Sequence, residues 1–333
     1  MNSKIEDIVR KAAANEWLNS EEIALLYKVP LFTEDAAYIM LAGRKKSEAA
    51  SNRLAEVHAQ VGLNVAPCPM NCMFCAFASA NKLFPDSTEF TAEEVVSRSL
   101  QFEKDKANAI YLMATADYNF SKFIEMGKEV RKNLKDETVL VANVGDFNAE
   151  QAIQLKDAGF AGIYHAIRLG EGKDTRLKVE NRFRTFMHAK EAGLILGTCV
   201  EPVGPEHSIE ELVEKTIINR DAQPCFSGSA RRIPLPGSEM EKYGIVSEAR
   251  MAFILAVVRL VIPASVPGNC THEPNVIGAA AGANLLWAES GSNPRDTEED
   301  TEGKRGMTVG ECRQVLKEAE WEVPEGPSAF FEM

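Results

Sequence analysis

The densest chemistry in this chain is a group of three thiols within eight residues. The run Pro67-Cys68-Pro69-Met70-Asn71-Cys72-Met73-Phe74-Cys75 spaces them as C-x3-C-x2-C. Three thiolates on one short loop can converge on one metal centre, because a loop is free of regular backbone pairing. A structural zinc takes four ligands, usually from paired C-x2-C units, and no neighbouring His or Cys completes such a pair here. A [4Fe–4S] cluster on three cysteines leaves one iron open to a substrate or cofactor. Buried, inert thiols are the third reading.

Other chemistry-bearing residues lie further along. Glu180-Asn181-Arg182 opens a helical pattern, and a guanidinium fork there suits a carboxylate; a solvated surface charge is the plain alternative. Arg231-Arg232 and His272-Glu273 end two β-rich runs. They are expected either to touch an anionic, carboxylated substrate or to form structural ion pairs. His165, beside Tyr164, reads as a packed strand histidine. Cys199, Cys225 and Cys270 read as ordinary buried thiols, with an auxiliary cluster on the three as the alternative.

These residues need elements to hold them. Residues 1–29 lack Gly and Pro and place Ile5, Ile8, Val9, Ala12 and Ala13 at helical spacing. Helix starts are expected at Asn19-Ser20-Glu21-Glu22 and at Thr33-Glu34-Asp35. Beyond residue 55, β-rich runs alternate with amphipathic helices. The strands are expected near 58–63, 109–114, 139–144, 162–167, 194–200, 225–233, 265–269 and 284–288. Helices are expected to begin near Thr91, Asn119, Asn148, Val179, Ser208, Ser247 and Pro274. Such alternation favours a parallel sheet with crossover helices, and eight units favour a (β/α)8 TIM-type barrel. The expected organisation is a helical extension over 1–55, a barrel over 56–290, and a loop and helix packing on it over 291–333.

Composition narrows the setting. Apolar residues make up 45% and charged residues 26% of the 333, which excludes wholesale disorder. The most apolar stretch, 254–266, is broken by Arg259 and Pro263 and cannot cross a membrane. The N-terminal MNSKIEDIVRK lacks a signal-peptide core. A net charge of −12 argues against binding nucleic acid or an anionic membrane. Seven cysteines are too few for a disulfide scaffold, so a reducing, cytoplasmic setting is expected.

C-x3-C-x2-C after the first strand, with Phe74 before the last cysteine, resembles the signature of radical S-adenosylmethionine (SAM) enzymes. The resemblance covers roughly 30–325 and points to the biotin-synthase-like group. It implies a [4Fe–4S] cluster on Cys68, Cys72 and Cys75, whose open iron binds the amino and carboxylate groups of SAM. Electron transfer then breaks a sulfur–carbon bond, giving a 5′-deoxyadenosyl radical that abstracts hydrogen from substrate. It also implies a one-electron reductant such as flavodoxin or ferredoxin, a small-molecule substrate, and oxygen-poor surroundings.

The same resemblance suggests positions around SAM. Arg182 matches an arginine for its carboxylate, and Ala114 and Thr115 match a backbone segment for its amino group. Arg168 and Glu171 match polar contacts to its ribose or methionine, and Val200 a contact to adenine. Arg231, Arg232, His272 and Glu273 are then expected to face substrate. Biotin synthase carries a second cluster on barrel cysteines, but strands two and three here have none, so sulfur insertion is not expected.

The segment from Asn293-Pro294-Arg295-Asp296 through Glu325-Gly326-Pro327-Ser328 resembles the HcgA (HmdB) group, which acts in assembling the iron-guanylylpyridinol cofactor. That group has a first cysteine gap of five residues rather than three. Methylornithine synthase and the hydrogenase maturase HydE share the three-residue gap and stay open as relatives. A non-catalytic iron–sulfur scaffold or sensor is the alternative from another class.

Overall fold

A computed structural model describes residues 2–332. Eight parallel strands close into a barrel: β1 Glu56–Gly62, β2 Ala109–Met113, β3 Val139–Asn143, β4 Gly162–Tyr164, β5 Ile195–Gly197, β6 Phe226–Arg231, β7 Gly268–Cys270 and β8 Leu285–Gly291. Each pairs with its sequence neighbour, and β1 pairs with β8 in a seven-residue register from Glu56↔Leu285 to Gly62↔Gly291. All eight expected strands are present, and the fold is the (β/α)8 barrel the alternation implied. Several boundaries moved by up to three residues, the fourth strand ending at Tyr164 and the eighth running on to Gly291. The fifth strand stops at Gly197, and a separate extension, Val200–Val203, pairs along the upper part of β6. The seventh begins at Gly268, three residues later than its pattern suggests.

The helices start where side chains can satisfy the free backbone N–H groups of a first turn. Thr91, Asn148 and Ser208 form reciprocal capping boxes with Glu94, Gln151 and Glu211; Asn119 and Ser247 cap with their own oxygens. The helix Val179–Glu191 lacks a side-chain cap and follows Lys178 directly.

Three N-terminal helices, α1 Ser3–Ala13, α2 Ser20–Tyr27 and α3 Glu34–Ser51, share an apolar layer with the barrel helix Glu248–Val261. That helix is buried without interruption from Met251 to Val261, because the N-terminal helices cover its outer face. The most apolar stretch of the sequence is therefore a core helix. Its Arg259 donates to the carbonyls of Val266 and Pro263 (2.8 and 3.1 Å). Among the described residues no helix is long and apolar enough to cross a membrane. Gly43 permits the closest approach: a Cβ there would sit 3.0 Å from Ala256 Cα.

The C-terminal segment closes the opposite end. After the helix Val309–Glu318, Phe330 and Phe331 pack against Tyr111, Phe226, Trp287 and Tyr164 inside the barrel. Glu56 on β1 accepts the backbone N–H of Ala329 (2.8 Å) and meets His58 Nε2 (2.8 Å). One end of the barrel is thus plugged, and function is confined to the other.

Candidate active site

The three thiols lie on the loop after β1, which its own backbone bonds and two distant segments hold in place. Cys68 N–H donates to Phe77 O (2.7 Å) and Cys75 N–H to Cys72 O (2.8 Å). Met73 N–H reaches Asp174 O (2.9 Å) on the loop after β4, and Ala76 N–H reaches Pro294 O (2.8 Å) on the loop after β8. Asn81 donates to the carbonyls of Met73 (3.2 Å) and Cys75 (2.8 Å).

All three thiols open on one cavity of about 1190 Å³, measured out to its mouth, at the C-terminal end of the barrel. Burial pushes the Cys68 thiol up to about 11, and pushes Cys72 and Cys75 up as well. These thiols would ionise only against a strong positive centre. Among the described residues no three Cys, His, Asp or Glu side chains converge as ligands of a single ion. Thiols spread around one cavity wall, with the Arg168 and Arg182 charges acting on Cys72, fit a multi-iron cluster.

Arg182 is 3% exposed and faces this cavity. Its Nη1 lies 3.3 Å from Asp146 Oδ1 and 2.9 Å from His165 Nε2, and its Nε lies 3.5 Å from Glu171 Oε2. Asp146 also accepts from Thr185 (3.1 Å). Burial raises the Asp146 carboxyl, but the bond from His165 and the charge of Arg182 bring it below its ordinary value. Burial, then Arg182, pushes His165 down to about 4, so its ring is neutral. His165 is buried, as its strand position suggested, but it also lines the cavity and, donating to Asp146 (3.0 Å), holds that carboxylate beside the arginine.

Ala114 and Thr115 line the cavity too. Asn64 clasps Thr115, donating to its hydroxyl (2.9 Å) and accepting its backbone N–H (3.0 Å). Phe74 and Arg168 contribute to the same wall, with Arg168 Nε 3.4 Å from Glu201 Oε1. Glu171 stands behind it, accepting from Thr175 (2.9 Å) and from Arg168 N–H (3.2 Å). Val200 does not reach the cavity. Because β5 ends early, its side chain turns outward into the apolar layer shared with the N-terminal helices, and Glu201 and Pro202 take the inner wall.

The expected substrate residues divide. Arg231 and His272 line the cavity. Arg231 donates to Val246 O (3.3 Å) and Glu248 (3.2 Å), and its Nε finds no partner among the described residues. His272 stacks on Trp287 (5.2 Å between centroids, 11°), and burial, then Arg295, keeps its ring neutral. Arg232 touches the cavity but spends its donors on Glu206 (3.0 and 2.8 Å) and the carbonyls of Met240 and Gly244. It fastens the loop after β6. Glu273 lies outside, on the rim, between Arg295 (3.6 Å) and Arg305 (2.9 Å).

Sequence reasoning passed over Gln60, Asn143, Tyr164, Glu201, Trp287 and Arg295, all cavity-lining. Arg295 meets Glu289 (2.5 Å). The Asn-Pro-Arg-Asp run was its available signal; the others are ordinary strand residues whose inward parity only the register reveals.

Comparison with known proteins agrees with this geometry. A model of the radical SAM superfamily matches residues 67–216. Biotin synthase from Anaplasma marginale (strain Florida) is 23% identical over 287 residues, covering 82% of this chain and 87% of that protein. The [FeFe]-hydrogenase maturase HydG from Carboxydothermus hydrogenoformans superposes with a TM-score of 0.81 at 17% identity, covering 99% and 81% of the two chains. Methylornithine synthase (PylB) gives 0.79 at 15% identity, covering 98% of each. The two structures establish likeness of fold.

Proposed function

We propose that this chain is a radical SAM enzyme of the biotin-synthase-like group, which remodels a small polar molecule inside the barrel in the service of cofactor assembly. The observation that carries the reading is one shared cavity: three loop thiols and a buried, carboxylate-braced arginine open on it together. The family implies a [4Fe–4S] cluster and SAM, and the residues present fit both. Cys68, Cys72 and Cys75 would hold the cluster, and Arg182 would face the carboxylate of SAM. Ala114, Thr115 and Arg168 would complete that half of the cavity, with Glu171 bracing it from behind.

When bound, these groups supply one-electron cleavage of a sulfur–carbon bond, chemistry that side chains lack. The chain's own task is to position and to exclude water. Asp146, itself held by His165, and Glu171 keep Arg182 in one orientation. On the opposite wall Arg231, Arg295 and neutral His272 offer polar contacts to substrate. The guanidiniums are already paired with Glu248 and Glu289, so the wall is charge-balanced. That favours a zwitterionic or neutral polar substrate over a strongly anionic one.

Pro294 and Arg295 line the cavity. The segment whose sequence resembles the iron-guanylylpyridinol assembly group therefore helps shape the substrate space, which supports that role ahead of the methylornithine-synthase-like and HydE-like ones. The enzyme needs a reductant; flavodoxin or ferredoxin in an oxygen-poor cytoplasm is the proposed source.

Anaerobic reconstitution with iron and sulfide, then reductant and SAM, should yield 5′-deoxyadenosine. An intact cluster with neither product nor a spectral response to SAM would sink the reading. Cys72→Ala should lose the cluster while circular dichroism stays that of the folded barrel.

A further inference from the structure

Beneath the cavity lies a second chemical feature that the cluster and SAM do not use. Cys199 and Cys270, both fully buried, place their sulfurs 3.2 Å apart in the barrel interior. They come from the chain after β5 and from the end of β7, flanking β6. On β6 Phe226 packs in the barrel interior and Ala230 lines the cavity; Gly228 sits between them in the same parity. A Cβ at Gly228 would lie 2.0 Å from Cys270 O, so only glycine lets β7 approach here.

Tyr164 joins this pair to the cavity. It lines the cavity and packs in the same interior cluster as both cysteines. Its hydroxyl, in a side chain 5% exposed, has no hydrogen-bond partner among the described residues, and neither does Trp287 Nε1 beside it. An unpaired buried phenol is costly for folding alone. Phenol O–H and thiol S–H bonds are the weakest X–H bonds that side chains offer.

We propose that Cys199 and Cys270 form a redox-active dithiol which, through Tyr164, supplies hydrogen atoms to carbon radicals in the cavity. This rests on the radical reading above. A carbon radical takes hydrogen from Tyr164: the C–H bond forms and the O–H bond breaks. The phenoxyl regains hydrogen from one thiol, leaving a thiyl. A second turnover takes hydrogen from the other thiol, and the two sulfurs join. Two radicals and two thiols thus become two C–H bonds and one disulfide. A dithiol reductant returns the pair with two electrons and two protons.

The test needs no substrate. Cluster-loaded protein equilibrated in D2O is given reductant and SAM, and the 5′-deoxyadenosine is weighed by mass spectrometry. Wild type should give mostly singly deuterated product, because O–H and S–H hydrogens exchange with solvent. The double variant Cys199→Ser/Cys270→Ser, and separately Tyr164→Phe, should lower that fraction at least threefold. Unchanged deuteration in the double variant overturns the dithiol, and in Tyr164→Phe overturns the relay. Absence of 5′-deoxyadenosine from wild type instead strikes the radical reading itself and removes this inference with it. An independent readout uses cluster-free protein: mild diamide oxidation followed by peptide mapping should find Cys199 linked to Cys270. A Cys199 and Cys270 that both stay free would overturn the pairing.

Discussion

Adjacent arginines at the end of β6 both reach the cavity wall but do different work, because their partners differ. Arg232 is 1% exposed and reaches both oxygens of Glu206, whereas Arg231 keeps an unpartnered Nε at the cavity. Removing one partner of a buried bidentate pair strands the other, at a cost of about 3–5 kcal/mol. Arg232→Ala should therefore lower Tm by several degrees and spread its damage over the loop after β6. Arg231→Ala should leave Tm within about a degree and act on turnover instead; calorimetry beside a 5′-deoxyadenosine assay separates the two. Arg182 differs from both, since its braces leave it aimed at a ligand. A charge-assisted bond to a carboxylate carries about 1.5–3 kcal/mol, so Arg182→Ala should weaken SAM binding roughly tenfold or more. Titration of the reconstituted protein checks this, and unaltered affinity would count against the role.

At the scale of elements, the N-terminal helices sit on the barrel through a buried cation. Lys46 on α3 is 8% exposed and donates to Ala12 O (3.0 Å) and Leu260 O (2.7 Å), with no carboxylate partner among the described residues. Burial, then the charge of Arg259, pushes it down to about 7, against about 10.4 in an unfolded chain. Between those values the unfolded chain binds a proton that the folded one does not, so this lysine's own contribution to stability rises with pH from about 7 to 10. Below 7 its penalty is constant. The buried thiols titrate in the opposite sense, so the difference isolates the lysine: the urea midpoint of wild type relative to Lys46→Met should rise between pH 7 and pH 9, and an unchanged difference would remove the lysine from the account. Nothing in the sequence flagged Lys46, because its partners are carbonyls 34 and 214 residues away. The helix starts at Thr91, Asn119, Asn148, Ser208 and Ser247 were legible for the opposite reason: a cap and the N–H it satisfies lie within one turn. The cysteine loop was legible likewise. Val200 was misplaced because strand parity depends on where β5 breaks, and Arg232 because Glu206 lies 26 residues away.

For the whole molecule the barrel has two unlike ends, and the chain builds both. The upper end is an open cavity lined from six of the eight strands and from the loops that follow them; the lower is sealed by the C-terminal turn Ala329–Phe331. Phe330, 2% exposed, packs among Tyr111, Phe226 and Trp287, and the turn is anchored through Glu56 on the first strand. The two ends meet through the interior cluster that holds Tyr111, Tyr164, Phe226, Trp287 and the thiols, and damage to the plug should stay low in the barrel. Truncating a buried Phe to Ala costs about 3–5 kcal/mol, a large share of the usual 5–15 kcal/mol that holds a domain folded. Phe330→Ala should therefore lower Tm by several degrees, while SAM affinity of the reconstituted protein stays within about twofold. Calorimetry and titration on the same preparation decide the matter. If SAM affinity fell in step with stability, the ends would be mechanically coupled, and the interior cluster would be transmitting strain into the cavity as well as separating it from the floor.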